Sequence, residues 1–437
     1  MRFHLNAKTV EALSDEPAVG AQILGGLEML FGTPAHPRYA LLPDWKDDGY
    51  DPNYPDSAAD DGGSGEFTDE HLAAMRADNQ RAFARQLEAI AQGRTADVPR
   101  VKAAPALTRA YEDLVARQVA GELTAADFKT EATELFANYY PSLTDSAELY
   151  REQCLHCHGV EGGGDGPTAA FLDPRPRDYR KGIFKFTAVK DKARPRRQDI
   201  ARVLEVGVYA TAMPSFKRFS IAQREGLVDY VRLLAVRGEI EHRLVSTYEE
   251  EETLSIDAFS EAYTDVWEKW QEAKTKVVAF EGEIPPPTEA LLARGRELFN
   301  DAKKGNCASC HGERGLGDGV AAFKLDDHGE RVSAYVDDWG HSILPRNLRQ
   351  GLYRGGHRPI DIYRRIYAGI NGGPMPAIGE SKDAQGNPLL SSTDMWALVH
   401  YVRSLAERDE SVLDAASMSA ASHGGASNGG AGTGGGH

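Results

Sequence analysis

The chain lacks any apolar run approaching the 18 or so residues of a membrane span, which excludes a transmembrane helix. Positive charge is also in short supply. Fifty bases face 66 acids, for a net charge of −16; nucleic-acid binding, which needs a basic face, is thereby disfavoured. Apolar residues fill 41% of the 437 positions, enough for a packed core and too few for a membrane protein. The length suggests two or three domains. Cysteine is rarer still, with four in the whole chain, and the placement of these four carries the reading.

The first pair reads Cys154-Leu155-His156-Cys157-His158 and the second Cys307-Ala308-Ser309-Cys310-His311. Both are C-x-x-C-H, the pattern of c-type haem attachment. Each thiol adds to one haem vinyl, and the adjacent His158 or His311 ligates the iron. Two intervening residues let one turn of chain present both sulfurs to a single porphyrin edge. Two copies that use every cysteine make coincidence negligible and imply two haem c groups. A zinc site built from the two pairs would leave both histidines unexplained. A thioredoxin-like redox pair needs a βαβ context that the pattern around these motifs does not supply.

The chain repeats itself around the motifs. Gly162-Gly163-Gly164-Asp165-Gly166 after the first matches Gly315-Leu316-Gly317-Asp318-Gly319 after the second. Arg177-Asp178-Tyr179-Arg180 matches Arg346-Asn347-Leu348-Arg349, and Met213-Pro214 matches Met375-Pro376. Leu227-Val228-Asp229-Tyr230-Val231-Arg232 matches Leu398-Val399-His400-Tyr401-Val402-Arg403. Each module opens with a small residue four positions before an aromatic, Ser146 and Tyr150 or Gly295 and Phe299, so the two share one helix face. The small residue lets another helix approach, and the aromatic fills the crossing. Tyr230 and Leu234, or Tyr401 and Leu405, offer the same spacing on the closing helices.

With these residues in view, the chain resembles bacterial di-haem c-type cytochromes, and its modules resemble class I cytochrome c domains over about 142–238 and 288–408. The resemblance implies an all-α fold of two tandem cytochrome c domains, with terminal helices crossing and haem held between the C-x-x-C-H helix and a Met-bearing loop. It implies His and Met as axial ligands, which raises the reduction potential. Met213 and Met375 are the repeat-matched pair, each stiffened by a following proline; Met395 is an alternative at the second haem, though it falls on the closing helix. The other ring nitrogen of each axial His needs a partner, for which the family suggests the carbonyls of Pro167 and Val320. Arg177 and Arg346 recur at one repeat position and suit haem propionates. His156, His341, His357 and His400 have no repeat partner and read as surface or core histidines.

Five segments follow: an acidic helical N-terminal domain at 1–143, cytochrome c domains at 144–240 and 288–408, an acidic helical linker at 241–287, and a disordered Gly/Ser/Ala tail at 409–437. The first carries 13 bases and 23 acids. Helical patterns appear in it at about 68–92, with Leu72, Met75, Phe83, Leu87 and Ile90, and at about 105–120 and 124–138. Thr124 and Asp127 offer a capping start. Residues 44–66 read as an acidic loop, and this whole region as a docking or covering domain. In the linker, Phe259, Tyr263, Val266, Trp267 and Trp270 follow a helical stripe, and Pro285, Pro286 and Pro287 form a stiff hinge. Residues 144–240 invert the charge, with 17 bases and 13 acids. Their cluster from Arg175 to Arg197, including Lys185, Lys190, Lys192, Arg194, Arg196 and Arg197, exceeds what two propionates need and suggests docking of an acidic partner or of the N-terminal domain.

The leading expectation is an electron-transfer protein, soluble or peripheral to a membrane, passing single electrons between redox partners of a respiratory chain. A cytochrome subunit of an oxidase or dehydrogenase complex shares that chemistry. A di-haem peroxidase would need an open sixth site, against which two Met-bearing loops speak. Haem c attachment implies a periplasmic or equivalent location, although the N-terminus shows no basic-then-apolar signal pattern; Glu28 interrupts the apolar stretch at 17–31.

Overall fold

A computed structural model of the chain describes residues 2–38, 69–92 and 105–406. The loop at 44–66, the tail from 409 and the side chains of Leu72, Phe83, Leu87 and Ile90 lie outside the described residues. The fold is all-α, with, among the described residues, one two-stranded antiparallel hairpin, Phe323–Leu325 with Arg331–Ser333. Among the described residues no helix is long and apolar enough to cross a membrane.

The chain divides into two units. The first holds residues 1–283 together with Asp337–Gly340 and Arg354–Ala377. Its spine is the 31-residue helix Ile221–Glu251, started by a reciprocal capping box between Ser220 and Gln223. The helix runs well past 240, where the repeat pattern alone suggested a boundary. It is buried through Leu244 and Val245, because each part of it has a partner. Leu143–Gln153, Pro17–Phe31, Ile256–Glu272 and Arg197–Val206 all pack on it. A helix covered on so many sides buries charged residues as well as apolar ones, among them Asp229, Arg232, Arg237 and Glu239.

The stretch at 17–31 is one of these partners. Ile23, Leu27 and Phe31 are fully buried in the same core as Tyr150, Tyr230 and Trp270, and each such side chain contributes about 1.5–3 kcal/mol of transfer free energy. Asp69–Ala91, Pro105–Val119 and Ala125–Ala137 form at the positions expected from pattern, with Thr124 capping the last through Asp127 N–H. Met75 is buried. Asp78, on the first of the three, accepts a 2.9 Å hydrogen bond from Ile221 N–H and so satisfies an open donor at the start of the long helix. The stripe of Ile256–Glu272 buries Val266 and Trp270 and half-buries Phe259, Tyr263 and Trp267.

The second unit holds Ile284–Val336, His341–Tyr353 and the chain from Ile378. Its opening helix, Glu289–Asn300, crosses the closing helix at 392–406. A Cβ on Gly295 would lie 2.1 Å from the Ala397 carbonyl oxygen and 2.6 Å from Tyr401 Cβ. Phe299 meets Tyr401 edge-on, ring centroids 5.4 Å apart. The first unit repeats the device: a Cβ on Gly226 would lie 2.5 Å from Ser146 Oγ, and Tyr150 and Tyr230 have centroids 5.1 Å apart. Met395 is buried in the closing helix as a core residue.

Gly295→Ala tests this crossing. Helix propensity gains about 1 kcal/mol from the change, and overpacking against a backbone carbonyl costs about 1–3 kcal/mol. Denaturant unfolding should show a net loss of up to about 2 kcal/mol; a midpoint raised by the full propensity gain would mean the helices can part at no cost.

Candidate functional site

The two C-x-x-C-H motifs adopt the same local structure. Leu155–His158 and Ala308–His311 are single helical turns, each ended by a glycine with positive φ, Gly159 at 76° and Gly312 at 74°. The loops that follow share one backbone frame. Gly164 N–H donates to the His158 carbonyl at 3.0 Å, and Gly317 N–H to the His311 carbonyl at 2.8 Å. Gly166 N–H donates to the Cys157 carbonyl at 3.2 Å, and Gly319 N–H to the Cys310 carbonyl at 3.1 Å. A side chain at Gly159 or Gly312 would meet Asp165 or Asp318 Oδ1 at 2.0 Å. Within each loop the glycine and the aspartate are therefore packed as one.

All four thiols are free of disulfides. Burial pushes the Cys154 and Cys307 thiols up to about 12. A nucleophilic redox pair needs a lowered value, so the environment is wrong for thioredoxin-type exchange. Among the described residues no three His, Cys, Asp or Glu side chains converge on a metal position.

The imidazoles are set up as neutral donors. Desolvation lowers His158 to about 4, opposed by the Arg177 carbonyl and reinforced by His156. Desolvation lowers His311 as well, opposed by the Arg346 carbonyl, which lies 3.3 Å from His311 Nδ1. A proton held on Nδ1 leaves Nε2 as the lone-pair donor. In the first module Nδ1 of His158 is shut off from solvent without a hydrogen bond of full geometry, although the Arg177 carbonyl is near enough to raise its basicity. The ring partner is thus the carbonyl of the repeated arginine, not that of Pro167 or Val320. The sequence points to both arginines for their side chains; nothing in a residue's type reveals the use of its backbone.

Paired thiols on one turn, a neutral imidazole aimed by a carbonyl, and a buried arginine nitrogen fit a covalently held haem. The arginine nitrogen is Arg346 Nε, which is buried with no hydrogen-bond partner and suits a carboxylate. Arg177 differs. Its guanidinium pairs with Asp337 at 3.2 Å and lies over the Trp339 ring, 5.5 Å from its centroid.

The Met loops also match. Arg197–Val206 and Pro359–Ala368 both start at a carboxylate that accepts from the backbone three residues earlier: Asp199 from Arg196 N–H at 2.9 Å, and Asp361 from Arg358 N–H at 3.1 Å. Both end on a positive-φ glycine, Gly207 and Gly369. The next residue then grips the methionine backbone: Val208 N–H donates to the Met213 carbonyl at 3.1 Å, and Ile370 N–H to the Met375 carbonyl at 3.2 Å. Both methionine side chains are half-buried. Met213 lies in the first unit with His158. Met375 lies in the segment 354–377, which also belongs to the first unit, whereas His311 belongs to the second. The Arg-x-x-Asp pattern that starts both helices was a repeat signal that sequence reasoning missed.

Of the unmatched histidines, His156 is exposed. His357 meets Tyr209 edge-on at 4.1 Å, and His400 Nε2 lies 2.7 Å from the Pro285 carbonyl. The basic cluster of residues 175–197 is not the free docking face its charge suggested. Lys185 is buried against Asp337 at 2.9 Å, and burial with the neighbouring Arg177 lowers its pKa against the pull of Asp337. Arg180 pairs with Asp178, Arg194 with Glu239, and Arg197 with both Glu225 and Asp229. Arg196 is buried with its side chain 3.6 Å from Asp199. Lys192 remains exposed.

The sequence itself is similar to known cytochromes. Residues 292–406 match the family model for cytochrome c, and residues 141–231 match the model for cytochrome c oxidase, cbb3-type, subunit III. A chain of the reducing HAO-like protein complex of Kuenenia stuttgartiensis is 26% identical, with 61% of this chain and 97% of that chain covered and a TM-score of 0.43. No curated protein matches the chain.

Asp337→Ala should be costly. It leaves Lys185 and Arg177 without the carboxylate that both address, and breaking a buried pair costs about 3–5 kcal/mol. Urea unfolding that shows a loss under about 1 kcal/mol would mean that water reaches these cations and the pair is a surface one.

Proposed function

We propose that this c-type cytochrome carries two haem groups and passes single electrons between redox partners. Cys154 and Cys157 would hold the first haem, with His158 and Met213 as axial ligands; Cys307 and Cys310 would hold the second, with His311 and Met375. The observation that carries this reading is the repeated backbone frame, in which two attachment turns, two glycine–aspartate loops and two gripped Met-Pro loops recur with the same hydrogen bonds. Haem c supplies reversible one-electron chemistry when bound. The chain's part would be to aim a neutral imidazole through the Arg177 or Arg346 carbonyl and to hold the methionine backbone at Val208 or Ile370. Met/His ligation favours the reduced state and a high potential. Arg346 Nε would meet a propionate of the second haem. Two Met-Pro loops with one backbone geometry speak against an open sixth site, and so against a peroxidase.

A second reading within the same chemistry is a cytochrome subunit docked in a larger oxidase or dehydrogenase complex. It is favoured by the similarity of residues 141–231 to an oxidase subunit family and by N-terminal helices that share the core of the first module. Either role would place the protein outside the cytoplasmic membrane, where haem c is attached.

Acid–acetone extraction should leave the colour on the protein, and intact mass should show two haems per chain. Met213→Ala and Met375→Ala should each remove one share of the Met-to-iron charge-transfer band at the red end of the spectrum. Fewer than two retained haems in matured protein sinks the two-haem reading. A variant whose band and potential stay as they were loses that methionine its role.

A further inference from the structure

The modules share a backbone frame but not the side chains set against it. The first places two tyrosines beside its axial histidine, and the second places none at the same positions. The equivalence is fixed by backbone hydrogen bonds and ring packing. Tyr179 N–H donates to the Gly162 carbonyl at 3.1 Å, and Leu348 N–H to the equivalent Gly315 carbonyl at 2.7 Å. Tyr150 and Phe299 each pack on the tyrosine of their closing helix. So Tyr150 and Tyr179 stand where the second module has Phe299 and Leu348.

The two hydroxyls form a directed relay. Tyr150 Oη donates to the Gly159 carbonyl at 2.9 Å. A hydroxyl has one proton to give, so in the 2.6 Å contact between the two oxygens Tyr179 is the donor. The relay runs from Tyr179 to Tyr150 to the carbonyl of Gly159, the residue next to His158. The Tyr179 ring lies against the His158 ring with centroids 5.5 Å apart. Both tyrosines are buried, at 1% and 6% exposure, so neither hydroxyl has water as an alternative partner.

We propose that Tyr150 and Tyr179 are positioning residues that make the two haem sites unequal, lowering the reduction potential of the first haem below the value it would have with the second module's residues. This rests on the two-haem reading above. An oxidised haem carries one more positive charge than a reduced one, and buried dipoles stabilise charge where hydrocarbon does not. Polarity and hydrogen bonding around the axial ligand are among the protein's means of setting a potential. The relay also fixes the peptide that follows His158, and with it the angle at which the imidazole is presented.

The test is a spectroelectrochemical titration of the full-length, haem-loaded protein, with the two midpoints resolved. Met213→Ala identifies which midpoint belongs to the first haem. Tyr179→Phe, and Tyr150→Phe with Tyr179→Phe, keep the ring volume and are expected to fold. They should raise the first midpoint, shifting the partition of one electron between the haems by up to about tenfold, the worth of a single buried hydrogen bond. The second midpoint and both Met-to-iron bands should stay in place. A first midpoint that holds, falls, or moves together with the second overturns the proposal. A wild-type protein that retains fewer than two haems overturns the reading beneath it, whatever the tyrosines do.

Discussion

The close crossing of an opening helix and a closing helix is the constraint on which both modules depend. At Gly295 and Gly226 the helices approach so closely that a methyl group would enter a neighbour's atoms. At Gly295 the neighbour is the Ala397 carbonyl, and backbone cannot give as a side chain tip can; at Gly226 it is Ser146 Oγ and the Pro141 ring. The crossing places Phe299 on Tyr401 and Tyr150 on Tyr230, and it fixes where the attachment turns begin. Tyr150 and Cys154 are linked by the last hydrogen bond of one helix, so the crossing passes directly into the position of the thiol.

From that anchor the site is built of backbone more than of side chains. Carbonyls of Arg177 and Arg346 address the histidines, carbonyls of Met213 and Met375 are held by the residues after Gly207 and Gly369, and glycines admit the aspartates that brace each loop. Side chains then distinguish the two copies. The first copy has a hydroxyl relay beside its histidine, and the second an apolar pair.

Charge in the first unit is used inward. Much of a run of bases that reads as a docking face is paired with carboxylates of the long helix, of the segment 337–340 and of its own loops. Arg194 reaches Glu239, which also accepts from Trp270 Nε1 at 2.7 Å, and Arg202 reaches Asp361. Buried pairs of this kind contribute little net stability but penalise arrangements that leave one partner alone. They therefore specify which loop lies where more than they strengthen the whole.

The sequence by itself determined the all-α class, the attachment motifs and the two-fold repeat, because these are local: five residues make a C-x-x-C-H turn, and four-residue spacing makes a helix face. It also located the helices at 69–91, 105–119 and 125–137 through periodicity and a capping threonine. Only the tertiary structure decided how far the long helix runs, since its continuation past 240 depends on partners more than 200 residues away in the chain, such as Ile23 and Leu27. Only it decided that the apolar stretch at 17–31 is a core helix, that Arg177 and Arg346 act through their carbonyls, and that the segment bearing Met375 belongs to the first unit. Each of these is a non-local choice. A residue type announces the chemistry of its side chain, but which cation finds which carboxylate, and which carbonyl faces which ring, is settled when distant segments compete for the same buried place.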